Sequence, residues 1–210
     1  NFNYRITACI NLIADALRSL NRLEMVEILI TDWNSETPLY KDLKLNNDAC
    51  NITKFIVVPP KVALKKSGDG QGFHCSFAIN TAIRRAGGNF ILSIPADILL
   101  TKFTLKNILE LLDKTLTIPT KIESCIFFID LYKIPFQLVK NEPTTSEWKE
   151  YLYAKSSEFP STKVNSPGLG LGQLNMMHSQ LWNESRGFDE KGPTSGVLLS
   201  PLDKKNQYHL

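Results

Sequence analysis

Val26-Glu27-Ile28-Leu29-Ile30-Thr31-Asp32-Trp33-Asn34-Ser35 is the stretch whose reading decides the fold. It opens with a short, β-branched apolar run over 26–30 and closes on polar turn formers, which describes a buried strand leaving the sheet through a turn. Phe55 to Val58 repeats the pattern and is stopped by Pro59-Pro60. Upstream, Ile6, Cys9, Ile10, Ile13, Leu17 and Leu20 recur at helical spacing, with Asn11, Asp15 and Arg18 on the opposite face. That helix starts almost at residue 1, without Met and without a signal-peptide pattern, so the reading expects a first strand to be missing from a single domain spanning 1–210. Downstream, a helix is expected over Phe73 to Ala86, with Ala78, Ile79, Ala82 and Ile83 as its packing stripe and Gly87-Gly88 as its stop. Phe90 to Ile94 reads as a third strand, Phe103 to Leu112 as a helix and Cys125 to Ile129 as a fourth strand. The alternation predicts an α/β fold with a mainly parallel sheet flanked by helices. Ile28, Leu29, Ile56, Val57, Ile91, Leu92, Ile126 and Phe127 are its expected buried centre. From Pro135 to Gly170 the periodicity fades, apart from a helical patch over Trp148 to Ala154.

Composition narrows the function. With 210 residues, 43% hydrophobic and 21% charged, the chain can bury a self-supporting core, which excludes disorder. No window is long enough for a membrane helix, since even Ile122 to Val139 is interrupted by Asp130, Lys133, Pro135 and Gln137. A net charge of +3 is too small for a dedicated nucleic-acid binder. Cys9, Cys50, Cys75 and Cys125 form no CxxC pair, so reduced, buried thiols are expected rather than a zinc site or a disulfide scaffold. Gly168-Leu169-Gly170-Leu171-Gly172 lacks the Lys-Ser/Thr of a phosphate loop and the spacing of a dinucleotide fingerprint. Lys61, Lys65 and Lys66 before Ser67 to Gly70 read as a solvated loop able to close over an anion.

In an open parallel sheet, ligands sit at the carboxyl ends of the strands. The exits here are Thr31 to Ser35 and Pro95-Ala96-Asp97, and the intervening helix carries Asn80, Arg84 and Arg85. At these positions the chain resembles the family-two, GT-A-fold glycosyltransferases. Val26 to Ser35 is similar to that family's strand ending in Asp-Asp-x-Ser, with Asp32 and Ser35 matching and Trp33 departing. Phe73 to Leu100 is similar to its Asn-bearing helix, glycine and strand ending in Asp-x-Asp, through Asn80 to Ile83, Gly88 to Ile94 and Ala96-Asp97. Gly172 to His178, Trp182 and Gly187-Phe188-Asp189-Glu190 resemble its late strand, helix and Gly-Phe-Asp-Glu turn.

The resemblance implies a GT-A fold with a nucleotide-binding half over 1–134 and an acceptor-side half over 135–210. It implies an inverting transfer of a sugar from a nucleoside-diphosphate sugar to a hydroxyl of a glycan or similar acceptor. By it, Asp32 accepts a hydrogen bond from the base, Ser35 belongs to the same turn, Asn80 lies close to the donor pocket and Arg84 contacts phosphate. Asp97 coordinates a divalent cation, Mn2+ or Mg2+, with His178 as a second ligand. Pro95 stands where the first Asp of Asp-x-Asp belongs, so the cation is expected to bind weakly without nucleotide. The general base is expected in an acidic pair after the late turn, yet 191–201 holds no acid apart from the turn itself, leaving Asp189 and Glu190, then Asp203. Each residue also has a purely structural reading: Asp32 as a turn former, Asp97 as a helix cap, Asn80 as a tie to a loop and His178 as a core histidine. A catalytically degraded GT-A domain that binds nucleotide, glycan or a protein is the alternative, and a sugar nucleotidyltransferase a more distant one. A cytoplasmic location is expected, with peripheral membrane attachment left open. If the four strand segments prove helical or fall in separate sheets, the family reading is expected to collapse with them.

Overall fold

Nothing between Phe2 and Ser19 breaks a helix: there is no Gly or Pro, and the apolar residues recur on one stripe, so this segment forms α1 (Phe2–Ser19). Its stop is chemical. Asn21 takes φ of 55°, the Arg22 N–H reaches the Leu17 carbonyl at 2.9 Å and the Asn21 N–H reaches Arg18 O at 3.0 Å, which closes the last turn as a Schellman motif. The computed structural model describes residues 2–66, 74–115, 125–128, 134–154, 175–188, 190 and 207–209. After α1 come a 3-10 turn (Leu23–Met25), β1 (Ile28–Trp33), α2 (Leu39–Asp42), α3 (Asn47–Ile52), β2 (Thr53–Val58), α4 (Pro60–Lys66) and α5 (Cys75–Ile83). Then follow β3 (Phe90–Ser93), α6 (Lys102–Thr115), β4 (Ile126–Phe128), α7 (Phe136–Lys140), α8 (Thr145–Ala154), β5 (Asn175–His178), α9 (Ser179–Glu184) and β6 (Gln207–His209). The class is α/β, as the alternation predicts.

The sheet departs from expectation. Among the described residues the strands form two sheets rather than one: β1 pairs in parallel with β2, while the other four run in the order β3-β5-β4-β6. In the larger sheet β5 lies antiparallel to both β3 and β4, and only β4 and β6 are parallel. This corrects the single, mainly parallel sheet, and it counts against the arrangement that the resemblance implies. The physical reason for the miss is that a four- or five-residue apolar run identifies a strand but carries no information on its partner or direction. The late strand β5 is inserted between β3 and β4, which both precede it in the chain by more than 45 residues.

Helix α1 packs against both sheets. Ile6, Ile10 and Leu17 of α1 pack in a cluster with Ile28, Ile30 and Phe55, whereas Ala16 belongs to a cluster with Leu92, Ile94, Leu100 and Leu105; Ile13 and Leu20 touch both. Glu27 ties the strands' leading ends, accepting from the Gly87 N–H at 2.6 Å and from Lys54 Nζ at 2.7 Å. The expected buried centre holds for Ile126 and Phe127, which are 1% and 4% exposed. It fails for the rest: Ile28, Leu29, Ile56, Ile91 and Leu92 are half-buried, and Val57 is 46% exposed. The inner edges of β1 and β3 have no strand partner among the described residues, so side chains that a continuous sheet would cover keep part of their surface in water.

Three local corrections follow from side-chain chemistry. Asn11 is buried rather than solvent-facing: its Nδ2 donates to Lys44 O at 3.2 Å, and its Oδ1 accepts from the Asn46 N–H at 2.9 Å. Lys61 to Lys66 form a helix, α4, not a loop, because Pro60 occupies the first helical position where its missing N–H costs nothing. Of the four cysteines expected to be buried, only Cys9 and Cys125 are, while Cys75 is half-buried and Cys50 exposed. Among the described residues no helix is long and apolar enough to cross a membrane.

Candidate functional site

Near the end of β1 stands Asp32, a buried carboxylate at 1% exposure. Its Oδ2 accepts from the Leu39 N–H at 2.8 Å and its Oδ1 from the Ser35 N–H at 3.3 Å, while Asn34 takes the left-handed φ of 61° that the turn requires. Asp32 thus organises the exit of β1 and the start of α2, and Ser35 contributes its backbone while its side chain is exposed. Alternation along β1 turns the next residues to the opposite face. There the Thr31 hydroxyl donates to Ala78 O at 2.8 Å, and Trp33 stacks on Phe77 of α5 with centroids 6.1 Å apart and planes at 17°.

Phe77 is the middle of a larger shelf. His74 meets its edge at 4.6 Å and Lys66 Nζ lies 5.0 Å from its centroid. The indole Nε1 of Trp33 and Nδ1 of His74 are buried without a hydrogen-bond partner among the described residues. Buried polar nitrogens normally find partners, so two orphans on one aromatic shelf call for a ligand or another explanation. Sequence reasoning passed over His74 and Phe77 and treated Trp33 only as a departure. The available signal was aromatic density on both sides of a strand exit.

β3 ends in the turn Pro95 to Ile98, closed by the Ile98 N–H on Pro95 O at 3.2 Å. Asp97 in this turn caps no helix: α6 begins at Lys102 and is capped by Thr101, whose Oγ1 accepts from the Thr104 N–H at 3.0 Å. Instead the Asp97 carboxylate is paired with Arg5, Nη1 to Oδ2 at 2.5 Å. Two residues earlier on the same helix, Asn3 Nδ2 reaches Asp42 Oδ2 at 3.4 Å. The first turn of α1 therefore touches both the end of α2, which follows β1, and the turn that follows β3.

Asn80 and Glu190 meet elsewhere. Asn80, 1% exposed, donates from Nδ2 to Phe188 O and to Glu190 Oε1, each at 2.9 Å, and accepts the Phe188 N–H on Oδ1 at 2.8 Å. Arg84 adds a contact from Nη2 to the same Glu190 oxygen at 2.9 Å. Gly187 has φ of 77°, and a Cβ there would stand 2.3 Å from Asn80 Oδ1, so glycine is required by both backbone and space. α5 thus holds Phe188 and Glu190 through Asn80 and Arg84. Asp189 and Asp203, like Gly168 to Gly172, lie outside the described residues. Arg85 bonds the Thr81 carbonyl of its own helix at 2.9 Å.

His178 opens α9, its Nδ1 accepting from the Gln180 N–H at 3.2 Å, and its ring meets the edge of Phe90 at 5.1 Å. Because β5 is antiparallel to β3 with His178 opposite Phe90, it sits at the start of β3, whereas Asp97 lies past its end. The two expected metal ligands are not brought together. Asp97 already carries a guanidinium, Pro95 offers no side-chain oxygen, and the described residues contain no cluster of three His, Cys, Asp or Glu. Among the described residues, Asp97 and His178 do not form a site for a resident divalent cation. No protein-family model and no curated protein matches the chain.

Proposed function

We propose that the chain is an inverting glycosyltransferase of GT-A type, moving a sugar from a nucleoside-diphosphate sugar to a hydroxyl of a glycan or similar acceptor. The observations that carry the reading are an aromatic shelf at the end of β1 with two ring nitrogens unpartnered among the described residues, and an exposed, exchangeable guanidinium-carboxylate pair past the end of β3. A nucleotide needs those two surfaces, a flat one for its base and a cationic one for its phosphates. The split sheet weighs against the fold part of this proposal, and the order of elements along the chain supports it. The cytoplasmic placement remains part of the proposal, resting on the absence of a disulfide-scaffold spacing among Cys9, Cys50, Cys75 and Cys125 in the sequence.

One observation favours the binding-only alternative. Transfer needs a carboxylate free to take the acceptor's proton as the sugar carbon is displaced, and Glu190 is instead engaged by Asn80 and Arg84. Incubation with uridine- and guanosine-diphosphate sugars, following release of the nucleoside diphosphate, separates the two. Release from at least one donor supports the transferase. Nucleotide binding without release from any donor, with and without acceptor glycans, supports the degraded domain.

A further inference from the structure

The disagreement between Asp97 and a cation site has a positive counterpart. We infer that Arg5 is the group that meets the phosphates of the bound nucleotide, exchanging its Asp97 partner for them, so that nucleotide binding requires no divalent ion. The inference rests on the nucleotide-binding part of the proposed function.

Arg5 is placed for this by α1, whose first turn lies beside the turn leaving β3 and the end of α2, the helix that follows β1. Its guanidinium keeps contact with water: the Arg5 and Asp97 side chains are 41% and 35% exposed. A single Nη1 contact links them, and the remaining N–H groups of Arg5 have no partner among the described residues. The Phe2 ring lies 5.5 Å from the guanidinium carbon and limits the directions the group can take. An exposed ion pair of this kind is weak because both partners remain hydrated. A diphosphate presents more charge and more oxygens than one carboxylate, and a planar guanidinium can bind two of them at once. The exchange is therefore favourable for the phosphates, with Asp97 acting as an internal competitor that holds Arg5 in position when no nucleotide is bound. A cation at the same place would have to displace Arg5 from Asp97 and sit against its charge.

The test is calorimetry of the intact chain with uridine diphosphate and guanosine diphosphate, first in EDTA and then with manganese. Binding in EDTA is expected, with manganese changing the affinity by less than about twofold. Arg5→Gln should weaken binding by about tenfold or more, Arg5→Lys by less because the charge but not the fork remains, and Asp97→Asn should strengthen it by removing the competitor. Circular dichroism and melting temperature check that each variant folds, and Arg18→Gln, which removes an exposed ion pair with Asp48, controls for loss of net charge. Binding that needs manganese and is equal in wild type and Arg5→Gln overturns the inference and leaves the nucleotide reading standing. Binding in EDTA that Arg5→Gln does not weaken makes the pair a surface ion pair only, again sparing that reading. No binding to the wild type under either condition overturns both.

Discussion

The Asn80 side chain fixes the backbone of Phe188 and the Glu190 side chain, and they fix it in return. All its amide hydrogen-bonding groups face backbone or carboxylate partners in a buried setting, where losing one partner exposes the desolvation cost of the other. Asn80→Ala should therefore destabilise the chain by about 2 to 4 kcal/mol in urea denaturation, because the Phe188 N–H and O are stranded together. Gly187→Ala should cost about 1 to 3 kcal/mol by strain and by the clash with Asn80. The two should not add: without the amide the clash disappears, so the double variant should be more stable than the sum of the singles predicts. An additive result would show that the turn and helix are not coupled through this contact. Whereas resemblance alone set Asn80 near a donor pocket, these bonds realise its structural reading as a tie between helix and loop. At the same scale Arg5 was not legible, because its partner lies 92 residues away and nothing in either local pattern announces the pair.

Elements with strong periodicity were legible, and those without it were not. The stripe of α1 predicted a helix and its core face; it did not predict that Ile13 and Leu20 would each serve two clusters. β1, β2, β3 and β4 were identified from their apolar runs, but their division into two sheets and the reversed direction of β5 were hidden, since such runs specify burial and not pairing. α4 was masked by reading Pro59-Pro60 only as a strand stop. The joining role of α1 makes Leu17, fully buried, a sensitive position: Leu17→Ala should cost about 3 to 5 kcal/mol. Glu27 joins the same sheets by polar bonds, and its carboxyl lies below its ordinary value of 4.5, chiefly through the Lys54 hydrogen bond and then the Gly87 N–H. A depressed carboxyl stabilises the fold above the unfolded value and loses that contribution as pH falls through the folded value. Stability measured in urea should thus decline below about pH 4.5 in wild type, and the decline should be shallower in Glu27→Gln. An unchanged pH profile would remove Glu27 as a strap between the sheets.

Over the whole molecule, the first turn of α1 touches the end of α2, which follows β1, and the turn that follows β3, while β5 directs His178 to the opposite end of β3 from Asp97. That division is what links the structure to a function, since a nucleotide at the exits has to protect segments far apart in sequence and leave the β5-α9 corner untouched. Amide hydrogen exchange of the intact chain, with and without saturating uridine or guanosine diphosphate, reads all of these segments in one experiment. Nucleotide binding at the strand exits predicts added protection in residues 2–5, 31–39 and 95–99 together, with 175–184 unchanged. Protection confined to 175–184, or no change anywhere at saturation, would contradict it.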